Sequence, residues 1–243
     1  MLKFCVILFS CLLFLPSPLW ALDLQTLVRK VEQQYMGRSS KSRMEMNIHS
    51  KHWQRSLVMD AWSLGRDHFL VRIIEPAKER DVTTLKVDRE VWNYLPKVDR
   101  VIKVPPSMMG GAWMGSHLTN DDLVKANKID EDYNLKLLEE TKDHLLIECL
   151  PKPEAAVVWG KIIYEILLPL EVPGTVAYFD EEMVRVRDLV FDEVQQIDGR
   201  NIPLRMTIQP VDEPLERTVI RYSAIDFNIP LTESFFSLRN LKR

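Results

Sequence analysis

Residues 88–122 read DREVWNYLPKVDRVIKVPPSMMGGAWMGSHLTNDD. The first part alternates as a strand does. Trp92 and Tyr94 fall on one face of Arg89–Leu95, with Val91, Asn93 and Leu95 on the other. A second apolar run follows at Val101, Ile102 and Val104, and Pro105-Pro106 ends any regular ladder because neither residue donates a backbone hydrogen bond. Residues 107–116 are then apolar yet carry three glycines, a composition that holds neither helix nor strand. Met108, Met109, Trp113 and Met114 need cover from water, and methionine adapts to irregular partners. Two readings stand side by side: a mobile apolar lid, or a loop packed permanently over its own core.

Beyond this loop, Thr119 and Asp122 have capping-box spacing for a short helix. Strand-like segments then recur at 135–141, 144–150, 161–168, 175–179, 184–194, 202–209 and 217–227. Asp198-Gly199 is a strong hairpin signal. Ser234–Arg239 reads as a last short strand. On the N-terminal side, segments 44–48, 57–64, 69–74 and 82–87 form a meander. Before it, Leu24, Leu27, Val28, Val31 and Tyr35 make the apolar stripe of a helix capped by Asp23 and stopped near Gly37. Arg29, Lys30, Glu32 and Gln33 are expected on that helix's exposed face.

The expectation is a mainly β protein (α+β) of about ten or eleven antiparallel strands with two helices. A sheet this large curls. One N-terminal amphipathic helix and one short internal helix cannot fill its concave face. Large side chains or an apolar cavity must occupy the rest. Trp62, Phe69, Trp92, Tyr94, Trp159, Tyr164 and Tyr178 are the candidates, together with the Met/Trp loop.

Residues 1–21 read as a signal peptide. Lys3 is followed by twelve apolar-rich residues, Phe4–Leu15, then Pro16, Pro18 and a cleavage position at Ala21. The run is too short to span a bilayer, which takes roughly twenty residues. Cleavage leaves residues 22–243 as a single expected domain, with 31 basic and 35 acidic residues. That balance shows no basic surface for nucleic acid. Only Cys149 remains, so neither a disulfide within the chain nor a cysteine metal site is available.

No catalytic constellation emerges. Ser116-His117 are sequence neighbours and cannot adopt nucleophile–base geometry, and Gly110-Gly111 lacks the Lys-Ser/Thr of a phosphate loop. His49 and His52 lie at a strand end without a carboxylate motif, and Asp121-Asp122 and Glu181-Glu182 suit a helix start and a turn. The reading is therefore non-enzymatic, with no cofactor and no metal.

VWNYLP at 91–96, PPSMMGGAWMGS at 105–116, TNDD at 119–122, DGR at 198–200 with Pro203, and FSLR at 236–239 with Leu241 together carry a resemblance. The chain resembles the LolA-like outer membrane lipoprotein-sorting protein family, related to the LolA/LolB-type periplasmic carriers. The resemblance implies an unclosed antiparallel β-barrel covered by helices, a half-barrel whose apolar interior shields acyl chains. It further implies a periplasmic carrier of lipid or lipidated-protein cargo, transferred between membranes or to and from an inner-membrane transporter; a monomer is expected. The alternative is a non-enzymatic interaction module of a transporter or envelope complex.

Overall fold

The computed structural model describes residues 23–34, 36–125 and 128–242. The expected signal peptide and Tyr35 lie outside the described residues. The helix α1, Leu24–Gln33, begins where the sequence places it: the Asp23 carboxylate accepts the Thr26 backbone N–H at 3.1 Å. It stops at Gly37, whose φ of +57° suits glycine and whose N–H reaches the Gln33 carbonyl at 3.1 Å.

Among the described residues thirteen strands follow in one antiparallel sheet. The first six are β1 Ser39–His49, β2 Gln54–Leu64, β3 His68–Glu75, β4 Thr83–Val87, β5 Glu90–Leu95 and β6 Arg100–Lys103. The remaining seven are β7 Tyr133–Glu140, β8 His144–Pro151, β9 Lys161–Leu167, β10 Val172–Phe179, β11 Arg185–Ile197, β12 Arg200–Pro210 and β13 Arg217–Phe227. The order across the sheet is β6-β5-β4-β3-β2-β1-β13-β12-β11-β10-β9-β8-β7. Each half is a meander of sequence neighbours, and β1 joins β13 at the seam. Pairing β6 with β7 would complete an up-and-down barrel. That one pair is not made, so the barrel is unclosed.

The chain itself bridges the missing pair. Residues 104–125 and 128–132 lie between the β6 edge and the β7 edge, carrying the short helices α2, Asn120–Lys125, and α3, Ile129–Asp132. This crossover contains the apolar loop quoted above. Trp113 and Leu118 enter the same core as Val28 and Val31 of α1, Met44 and Met46 of β1, and Ile147 of β8. The inner face of the sheet is thus covered by α1 and the crossover.

Part of the outer face is covered too. Leu70, Leu85 and Tyr94 form a second core with Phe236 and Leu241. Residues 234–239 are not a strand: Glu233–Phe235 is a 3-10 turn and Leu238–Leu241 a short helix, α4. Their apolar side chains cap the back of β3–β5 rather than extend the sheet.

Candidate functional site: an apolar cavity with a charged end

Between the sheet's inner face, α1 and the crossover lies a cavity of about 290 Å³. Alternation on each strand sends every second residue into it. Met44 of β1, Ala61 of β2, Val176 of β10, Leu189 of β11, Met206 of β12 and Ile220 of β13 supply apolar wall from both meanders.

Six of the eleven residues singled out in the sequence border this space: Trp62, Phe69, Trp113, Trp159, Tyr164 and Tyr178. Trp62 also packs against the outer core. Its ring packs on Phe235 of the C-terminal cap, with centroids 5.7 Å apart, and carries Lys41 over its face. Trp92 and Tyr94 lie outside the cavity and belong to the outer core. Lys103 covers the Trp92 ring, and the Tyr94 hydroxyl donates to Asp99 at 3.2 Å. The alternation of β5 is as expected, but its inner residues are Val91 and Asn93. Of the loop methionines, Met108 is 61% exposed, Met109 is half-buried away from the cavity, and Met114 packs at the core's margin.

The crossover is held down at several points. Trp113 is 3% exposed and its indole N–H donates to the Thr84 hydroxyl at 3.2 Å. Arg55 donates to the Met114 carbonyl at 2.7 Å, and His117 meets Thr218 at 2.8 Å and Glu216 at 3.2 Å. Thr119 and Asp122 cap α2 reciprocally, the Thr119 N–H reaching the carboxylate at 2.7 Å and the Asp122 N–H reaching the hydroxyl at 3.1 Å. That same carboxylate takes a two-pronged ion pair from Arg187 of β11, at 2.8 and 2.5 Å. The guanidinium is 4.4 Å from the Trp159 ring centroid and 4.5 Å from that of Tyr178. Burial lowers the Arg187 pKa, and the Asp122 pairing more than offsets that, so the net shift is upward.

One end of the cavity is charged. Glu32 is buried, contrary to the expectation of an exposed face; it stands one turn beyond Val28 on the inward stripe of α1. Its carboxyl is pushed up to about 8 by burial, against the pull of Arg66 at 3.6 Å. Arg66 is shared with Asp130, which Arg29 also contacts at 2.6 Å. Burial raises the Asp130 pKa, but hydrogen bonds from Arg66 and Arg29 win and leave it below the usual carboxylate range. Lys86 of β4 is buried as well, and its ammonium donates to the Arg66 carbonyl at 2.7 Å. Desolvation pushes that ammonium down to about 8. A second, more open cleft adjoins this end and shares Met36, Gly65, Arg66 and His68 with the cavity.

The lining is mostly apolar, with its charged groups gathered around Arg66. Among the described residues no group of three or more His, Cys, Asp or Glu side chains could hold a metal. Cys149 is buried, and burial raises its thiol pKa. No described helix is long and apolar enough to cross a membrane.

A family model described as "Uncharacterized protein" matches residues 65–243. The chain belongs to that family. Its fold is LolA-like. A DUF1329 family protein from Desulfovibrio piger superposes with a TM-score of 0.82 at 20% identity, over 89% of this chain and 97% of that one. A Vibrio parahaemolyticus domain assigned to outer membrane lipoprotein sorting gives 0.80 at 21% identity, over 90% and 98%. A LolA superfamily protein from Nitrosomonas europaea gives 0.74 at 19% identity, over 89% and 98%. No curated protein matches the sequence.

In this LolA-like chain, the charged residues are what sequence reasoning missed. Glu32 carried a signal, because position i+4 from Val28 lies on the apolar stripe. Lys86 sits in Thr83–Val87, where alternation gives no preferred face because both faces are buried. Arg187 pairs with a residue 65 positions away, beyond the reach of any local pattern.

Proposed function

We propose that the protein is a periplasmic carrier that shelters an acyl chain, of a lipid or a lipid-modified protein, in its interior cavity. The observation that carries this reading is the apolar space of about 290 Å³ enclosed by an unclosed barrel, near the small end of the range for ligand sites. Trp113, Trp159, Tyr164, Tyr178 and Phe69 would contact the chain, and the crossover would form the cover. The signal-like first 21 residues support export, and the LolA-like fold supports transfer to or from a membrane or an inner-membrane transporter. A monomer suffices for this role, with no nucleic acid, cofactor or metal.

Native mass spectrometry of gently purified protein tests the reading. Co-purified acyl species are expected, and delipidated protein should take up a fluorescent fatty acid. Absence of both overturns it.

A second reading has its own observation. Leu95, Val98, Ile102 and Met108 are exposed along the β5–β6 edge and the start of the crossover. Such a patch suits a non-enzymatic interaction module docking on a transporter or envelope complex. On that reading acyl binding is absent, while polar substitution at Ile102 and Met108 weakens association with the partner.

A further inference from the structure

We propose that the charged end of the cavity, centred on Lys86, receives the anionic headgroup of a single-chain amphiphile whose tail lies along the apolar wall. This rests on the carrier reading and narrows its ligand class. Strand register places Ser40, Ser63, Phe69 and Lys86 in one cross-strand row on the inner face. Lys86 is 3% exposed, and its ammonium makes one hydrogen bond, to the Arg66 carbonyl. An ammonium has three hydrogens to give. Among the described residues no carboxylate oxygen comes within 4.0 Å of it; Asp67 and Asp88 act on it only from farther away, against Lys128 and Arg66, and Asp67 is itself paired with Lys128 at 2.8 Å.

Apart from Glu32, the other charged groups of the lining are committed. Asp122 is paired with Arg187, Lys125 with Asp132, and Arg66 with Asp130 and Glu131. A buried ammonium without a close counter-charge is costly, and a methionine would fill the same volume without that cost. The missing counter-charge is the ligand's. The Ser40 and Ser63 hydroxyls share a single 2.7 Å hydrogen bond, so the pair keeps one hydrogen to donate. The buried Glu32 Oε2 makes no hydrogen bond and lies 3.6 Å from the Arg66 guanidinium. The adjoining cleft opens at this end, which puts a headgroup at the mouth and a tail inside. A volume of about 290 Å³ suits one chain better than the several chains of a lipoprotein anchor.

The test is titration of the purified, delipidated protein at pH 7 with dodecanoate, dodecyl phosphate and dodecanol. One anionic probe or both should bind at least about tenfold more tightly than dodecanol, the worth of a charge-assisted hydrogen bond. Lys86→Met should erase that preference, leave dodecanol affinity unchanged and keep the thermal midpoint at or above its original value. Equal affinity for the three probes, or a preference that survives Lys86→Met, overturns the headgroup site and leaves the carrier reading standing. Failure of all three to bind removes both.

Discussion

Glu32 contributes to the pH behaviour of the protein alongside Asp121, whose carboxyl burial raises to about 6. The folded pKa of Glu32, about 8, lies above the ordinary 4.5, so the folded state holds the proton more tightly than the unfolded chain does. The stability this gives is full below pH 4.5 and is lost progressively as pH rises through about 8. Glu32→Gln removes the titration. Urea midpoints should therefore fall between pH 5 and pH 8 in the original protein, and fall less in the variant. Trp113 is the second decisive residue. Truncation to Ala empties a buried site at the cavity wall, and large-to-small changes of this kind cost about 3–5 kcal/mol. Trp113→Asp should reduce fatty-acid binding by a larger factor than it reduces the folded fraction. Equal losses in titration and in denaturant unfolding would make the indole a packing residue only.

At the scale of elements, the crossover and the β11 wall are coupled through Asp122 and Arg187. Asp122→Ala leaves a guanidinium buried between two rings without its carboxylate. Breaking one side of a buried pair costs about 3–5 kcal/mol. It also removes the cap of α2. Hydrogen exchange should speed up across residues 113–125 more than in β1 or β13. Uniform acceleration would mean that the crossover does not open separately. The β11–β12 hairpin offers a smaller, cleaner test: Gly199 has φ +74°, and Gly199→Ala should cost about 1–2 kcal/mol in chemical denaturation.

The same elements show what was legible in the sequence. The Asp23 cap, the Thr119–Asp122 box and the Asp198–Gly199 turn are local, so each is written in a few adjacent residues. The alternation of β5 shows that Trp92 and Tyr94 share a face. It cannot say which face, because this part of the sheet is covered on both sides, by the crossover within and by residues 233–241 without. Residues 234–239 look strand-like for the same reason: a cap over a sheet and an edge strand both need alternating apolar contacts. The charged end was illegible because its members come from α1, the β2–β3 turn, β4 and α3, and only the fold brings them together.

At the scale of the whole molecule, the C-terminal cap completes the outer core with β3–β5. Deleting residues 233–243 would uncover Leu70 and Leu85, each 1% exposed, and the Tyr94 ring. The thermal midpoint should drop, and the truncated chain should bind more of an apolar dye than the full chain does. A truncated chain with an unchanged midpoint would show that the outer core contributes little.

The strand order has a kinetic corollary. Every pairing but one joins neighbours in sequence; the exception links Ser40 to Phe227. Closing a loop of that length costs about 3 kcal/mol more chain entropy than closing a short hairpin. Two half-sheets can form locally, but they meet only after the last strand exists. Until then each half presents a bare edge to the surroundings, an edge open to pairing with another unfinished copy. The protein's most exposed moment is thus during its own folding, and crowding of incomplete chains is where it is most vulnerable to aggregation.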